Sequence, residues 1–203
     1  MKLKSMIVMA AMFFTVMGMA QKVTLLSGDF QNLKGISEYN LTFDYEGLTV
    51  DRVSEEQFLA DKMKKREGNG KDIAFKENWF ADREKRYEPK FAESFNKRFK
   101  KGAVKAEENL ANAKYTMNIK TIWIHPGFNV GIMHNSSLLN TIVSVVETAN
   151  PSNVLFAAKY EKVGGKGIFT PIGFMDYNTG YRISEGYAKL GKTVASNIKK
   201  KIK

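Results

Sequence analysis

Apolar and polar side chains alternate from Lys114 onward, with Tyr115, Met117, Ile119, Thr121 and Trp123 on one side and Lys114, Thr116, Asn118 and Lys120 on the other. A period of two is that of a strand with one dry and one wet face. Past Lys120 the second side also turns apolar through Ile122 and Ile124, so the strand's end is expected to be covered on both faces. Pro126-Gly127 stops it, because proline brings no N–H to a ladder. Leu138 to Thr148 is dense in β-branched residues (Thr141, Ile142, Val143, Val145, Val146, Thr148), which suit a pleated surface better than a helix. Asn150-Pro151-Ser152-Asn153 reads as a turn, and Val154 to Tyr160 resumes the alternation, so a hairpin is expected. An earlier strand is expected in Asn40 to Val50, where Leu41, Phe43 and Tyr45 alternate with Thr42, Asp44 and Glu46. Gln21 to Ser37 reads as polar and mixed, with turns at Gly28 and Gly35.

Helical periods fill the rest. Ser54 with Gln57 three residues on forms a capping box for a short helix carrying Phe58, Leu59 and Met63, which ends in the Gly68-Asn69-Gly70 loop. From about Asp72, Phe75, Trp79, Arg83, Tyr87, Phe91, Phe95 and Phe99 form a row at four-residue steps, the face expected to pack on the sheet. Pro89 lies inside that row and is expected to kink or split the helix, since its ring clashes with the carbonyl four residues back. Glu107 to Ala113 is read as one further helical turn. The last helix starts near Thr179-Gly180 and carries the stripe Ile183, Tyr187, Leu190, Val194, Ile198 and Ile202. The expected fold is α+β, a single antiparallel sheet of four to five strands with helices packed on one face.

Lys2 and Lys4, an apolar run from Met6 to Met17 and the small-x-small triplet Gly18-Met19-Ala20 read as a secretory signal peptide over residues 1–20, leaving 21–203 as one domain. The expected location is periplasmic or extracellular, or in association with the outer membrane. The chain has no cysteine, so an exported form draws its stability from the core alone. The net charge is +11. That surplus favours anionic partners, including weak contact with an anionic membrane surface. It is concentrated between Arg83 and Lys101, where eight basic residues face three acidic ones, and in Lys199, Lys200, Lys201 and Lys203. Nucleic acid is not expected as a partner, because no aromatic-basic recognition motif accompanies the charge.

Chemistry is sparse. Gly186-Tyr187-Ala188-Lys189-Leu190-Gly191-Lys192-Thr193 matches the phosphate-loop pattern letter for letter. Tyr187 and Leu190 belong to the helical stripe, however, and only ten residues follow Thr193, so the match is expected to be part of the last helix and not a loop that wraps phosphates between a parallel strand and a helix. His125 and His134 are the only histidines and are read as loop residues without a carboxylate partner. Glu55-Glu56 and Glu107-Glu108 are read as helix-start acids. No catalytic residue, metal site or cofactor is assigned. The glycine-rich run after Val163 mixes flexible backbone with large apolar residues, so Ile168, Phe169, Ile172 and Phe174, together with Asp176, Tyr177 and Arg182 of the following turn, form the candidate partner surface.

The element order, together with the Asp176-x-x-Thr179-Gly180 turn, resembles small envelope domains of Gram-negative bacteria, in layout the lipoprotein activators of cell-wall synthases and the assembly-type secretion lipoproteins. Trp123-Ile124-His125-Pro126-Gly127-Phe128 and Glu147-Thr148-Ala149-Asn150-Pro151 also resemble an uncharacterised exported family of that group. The resemblance implies no catalytic residue, and this chain lacks the lipid-bearing cysteine. The expected function is a non-enzymatic binding or scaffolding module of the cell envelope. It would hold a protein or glycan on a sheet edge or on the glycine loop, its oligomeric state left open. The alternatives are a carrier of a small apolar ligand between helix row and sheet, and a hydrolase depending on Asp176 or His125.

Overall fold

The computed structural model describes residues 21–110, 112–130, 133–165 and 179–202. The segment read as a signal peptide lies outside them, as do Ile168, Phe169, Ile172, Phe174, Asp176 and Tyr177. The strands are β1 (Lys22–Gly28), β2 (Glu38–Asp44), β3 (Thr49–Val50), β4 (Val53–Ser54), β5 (Lys105–Glu107), β6 (Tyr115–His125), β7 (Phe128–Val130), β8 (Met133–Asn135), β9 (Leu138–Glu147) and β10 (Asn150–Gly164). The helices are α1 (Glu55–Lys64), α2 (Lys71–Asp82), α3 (Glu88–Asn96) and α4 (Thr179–Lys201), with a π-helical turn, Arg83–Tyr87, joining α2 to α3. Among the described residues no helix is long and apolar enough to cross a membrane.

The expected four- or five-stranded antiparallel sheet is replaced by a mixed sheet of eight strands, ordered β1-β10-β9-β6-β2-β5, with β3 and β4 attached beside β6. β2 pairs in parallel with both β5 and β6, and β3 pairs in parallel with β6. The physical reason is the connection. Between β2 and β6 the chain makes a helical crossover through α1 to α3, and a crossover returns the next strand in the same direction. Two smaller readings also change. Glu107 to Ala113 contributes the end of β5 in place of a helical turn, and Asn150 to Asn153 belongs to the bulged start of β10, the reversal falling at Thr148-Ala149.

The sheet has one dry face. Met117, Ile119, Thr121 and Ile124 of β6 are buried, as are Leu139, Thr141, Val143 and Val145 of β9 and Phe156, Ala158, Tyr160 and Val163 of β10. A bulge at Ile122 lets Ile124 rejoin that face and turns Trp123 and His125 to the other. The opposite face stays half-exposed and polar, with Thr42, Asn118 and Ser144 in one row, and Asp44 salt-bridged to Lys120 at 2.7 Å in the next.

The aromatic row packs on the dry face, as its period suggests: Phe91 meets Phe43 edge-on at 5.8 Å and Phe95 meets Tyr39 at 6.1 Å. Pro89 sits in the first turn of α3, directly after the π turn. The wider turn accommodates a proline that lacks an N–H and would crowd the carbonyl of Lys85. α4 runs alongside this helix in the same direction, with Tyr87 stacked on Tyr187 at 5.1 Å and Lys199 Nζ donating to the Arg98 carbonyl at 2.8 Å.

Candidate functional site

Two places on the described surface combine exposed chemistry with a rigid frame. The first is the outer edge of β1. β1 pairs with β10 on one side, Val23 opposite Tyr160 and Leu25 opposite Ala158, and among the described residues it has no strand on its other side. Val23 and Leu25 therefore share the helix-facing side, yet α4 lies over β9 and β10 and leaves them 38% and 46% exposed. Leu26, at a bulge between Leu25 and Ser27, is 52% exposed.

The strand is anchored at both ends. The Gln21 side-chain amide meets Thr193 Oγ1 at 3.4 Å, and past Gly28 the Asn32 amide donates to the Leu155 carbonyl at 2.9 Å while Phe30 packs on Phe156 at 4.4 Å. Gly28 has φ +63°, and a Cβ there would stand 2.0 Å from the Leu155 oxygen, so only glycine allows this approach. The sequence reading of Gln21 to Ser37 as turns missed this strand.

The second place is the far end of β6. Parallel pairing of Thr49 with Trp123 and Val50 with Ile124 sets Asp51 beside His125, 74 positions along the chain. Asp51 holds a left-handed φ of 55°, its Oδ1 bonds His125 Nδ1, and its carbonyl accepts from Trp123 Nε1 at 2.7 Å. The Trp123 and His125 rings stack at 15°, and the Asn135 amide stands 3.5 Å from His125 Nε2. The expectation that His125 lacks a carboxylate is thereby corrected. Phe128–Val130 pairs antiparallel with Met133–Asn135, which contains the second histidine, and this pairing was also missed.

Arg182, the member of the expected partner surface that is described, sits close by. Its Nε donates to the Pro126 carbonyl at 3.3 Å and its guanidinium reaches Thr179 Oγ1 at 3.1 Å, while Ser137 Oγ donates to the Arg182 carbonyl at 2.5 Å. These bonds tie the start of α4 to the turns at the end of β6 and the beginning of β9.

Inside, a polar seam joins helix to sheet. Thr121 and Tyr187 share a hydroxyl hydrogen bond of 2.6 Å, and Tyr45 donates to Glu88 at 3.2 Å. Arg83 pairs with Glu55 at 2.5 Å and lies over the Tyr45 ring at 4.1 Å. Burial, then the neighbouring Glu108 carboxylate, pushes the Glu88 carboxyl above its usual range, with the Tyr45 hydrogen bond acting in the other direction. Burial likewise pushes the Tyr45 and Tyr187 hydroxyls up. Among the described residues no three metal-ligating side chains come together.

Lys192 and Thr193 of the phosphate-loop match lie in mid-α4, where Thr193 Oγ1 donates to the Lys189 carbonyl at 2.8 Å. The two glycines of the match serve helix packing. A Cβ on Gly186 would meet Leu139 at 2.9 Å, and one on Gly191 would meet the Phe91 carbonyl oxygen.

No family model matches this chain, and no curated protein matches it. Among solved structures, PelC of Paraburkholderia phytofirmans, a dodecamer, is similar at a TM-score of 0.39 and 10% identity, covering 87% of this chain and 98% of PelC. A single-residue variant of the same dodecamer gives a TM-score of 0.37 and 10% identity over 85% of this chain and 98% of the variant.

Proposed function

We propose that this chain is a non-enzymatic, exported binding module of the cell envelope that takes an extended segment of an acidic partner protein onto the outer edge of β1. The observation that carries the reading is a seven-residue edge strand, anchored at both ends, that leaves Val23, Leu25 and Leu26 open to solvent. Edge strands are normally kept short, or guarded by charge or proline, because their unpaired backbone groups recruit other strands. The opposite edge, β5, follows that rule with three residues, of which Lys105 and Glu107 are charged. β1 carries one charge, Lys22, at its start.

Strand addition would supply main-chain hydrogen bonds, with affinity from covering the two leucines and the valine, each worth on the order of 1 kcal/mol at their present half-exposure. A second copy of the chain is disfavoured as occupant, since removal of residues 1–20 with Lys2 and Lys4 leaves each exported molecule at +9 (11 − 2), so two copies repel and an acidic partner is attracted. The test is crosslinking capture from whole envelope extract with the wild type and a Leu25→Lys/Leu26→Lys variant. The reading expects a partner with the first and its loss with the second. Background alone with both counts against it.

The Asp51–His125 pair favours a second reading, a hydrolase in which Asp51 orients the imidazole as a base. It expects turnover of an ester, glycoside or peptide panel that disappears in His125→Ala. The carrier reading gains less support, because the helix row and the sheet already meet ring to ring.

A further inference from the structure

The α3–α4 seam carries a line of cations. Lys85, Arg86 and Lys90 line a shallow groove of about 290 Å³ between the two helices, together with Pro89, Glu93, Tyr181 and Ser184. The line continues down α3, where Glu93 bridges Lys90 at 3.8 Å and also pairs with Lys97, and it ends where Lys199 meets the Arg98 carbonyl. Both helices point their C-termini toward that end. Their combined macrodipoles amount to about one negative charge, about half a charge each. Lys97, Lys100, Lys199, Lys200 and Lys201 are all exposed there, far more positive charge than dipole compensation requires.

We infer that this seam binds a linear acidic polysaccharide, lying along α3 from the Lys85–Lys90 groove to the Lys199 end. A helix rise of 1.5 Å per residue places Arg86 and Lys90 about 6 Å apart and Lys90 and Lys97 about 10 Å apart, a spaced row of cations suited to an extended chain with widely set carboxylates. The groove at the Lys85–Lys90 end is concave and accepts a chain better than it accepts a flat lipid surface. The inference rests on different residues from the β1 reading and does not depend on it.

The test uses residues 21–203 and measures binding to soluble polygalacturonate, phosphatidylglycerol vesicles and duplex DNA at about 0.15 M salt, where charges more than about 8 Å apart are screened from one another. Wild type, Lys90→Glu/Lys97→Glu and Lys64→Glu/Lys65→Glu are compared. The control pair is exposed and lies at the end of α1. The inference expects polygalacturonate to bind most tightly and to weaken at least tenfold in the seam variant but less than twofold in the control. A Lys97→Ala variant, which removes charge without reversing it, should weaken binding by a smaller factor and guards against a folding defect. Equal loss in both charge-reversed pairs, tighter binding to vesicles or DNA, or no binding to polygalacturonate would each overturn it.

Discussion

Gly191 lies so close to the Phe91 carbonyl that a Cβ at position 191 would stand 2.3 Å from the oxygen. α3 and α4 can approach this closely only because position 191 has no side chain. Gly191→Ala should therefore destabilise the fold by about 1–3 kcal/mol through overpacking, outweighing the roughly 1 kcal/mol that alanine gains over glycine in a helix. Gly186→Ala meets the Leu139 side chain, Cδ1 at 2.9 Å and Cγ at 3.0 Å, which gives way more readily than a backbone carbonyl, and should cost less. Urea unfolding midpoints check both. A stabilised Gly191→Ala would remove the packing explanation of the phosphate-loop match.

The two buried tyrosines of β2 and α4 should respond differently. Tyr187 shares its hydroxyl with Thr121, so Tyr187→Phe leaves a buried hydroxyl without its partner and should cost about 1–3 kcal/mol. The Tyr39 hydroxyl is buried and has no hydrogen-bond partner among the described residues, so Tyr39→Phe should be neutral or mildly stabilising. Thermal unfolding of the two variants side by side decides this.

Glu88 sets a pH dependence of definite sign. Its carboxyl is raised in the folded chain, so the native state holds a proton that the unfolded state has already released. Stability from this group is therefore present below the ordinary carboxylate range and is lost as pH rises through the folded-state pKa. Glu88→Gln should be more stable than wild type at neutral pH and should lack that part of the decline. Unfolding midpoints from about pH 4 to pH 8, the span above the ordinary glutamate pKa, read it out. Parallel curves for the two proteins would contradict the assignment.

The legible parts of the fold were those whose pattern is local. β6, β9 and the α4 stripe follow directly from periods of two and of three to four, and the Ser54 cap is confirmed by Gln57 N donating to its hydroxyl at 3.2 Å. Periodicity says which side of a strand is dry but not which strand lies beside it, so the parallel placement of β2 against β6 was invisible. Asp51 and His125 depend on that same placement through β3. β1 was hidden for a different reason. Val23, Leu25 and Leu26 are all exposed and a bulge breaks their register, so burial imposes no clean alternation there.

That exposure predicts where tolerance lies. Leu25→Lys and Leu26→Lys should each change stability by less than about 1 kcal/mol, as expected at solvent-facing sites. Leu41→Lys, which places a charge at a position only 2% exposed on β2, should prevent folding. Circular dichroism and urea titration separate the outcomes. A severe loss in Leu25→Lys would mean the edge is covered from within.

The openness of β1 is tested most directly by hydrogen exchange of the Lys22–Gly28 backbone amides, in the isolated chain and with a captured partner. An open edge predicts that the amides facing away from β10 exchange rapidly in the isolated chain at every protein concentration and become protected when the partner is added. Protection of the same amides in the isolated chain, or no change on adding the partner, would contradict it.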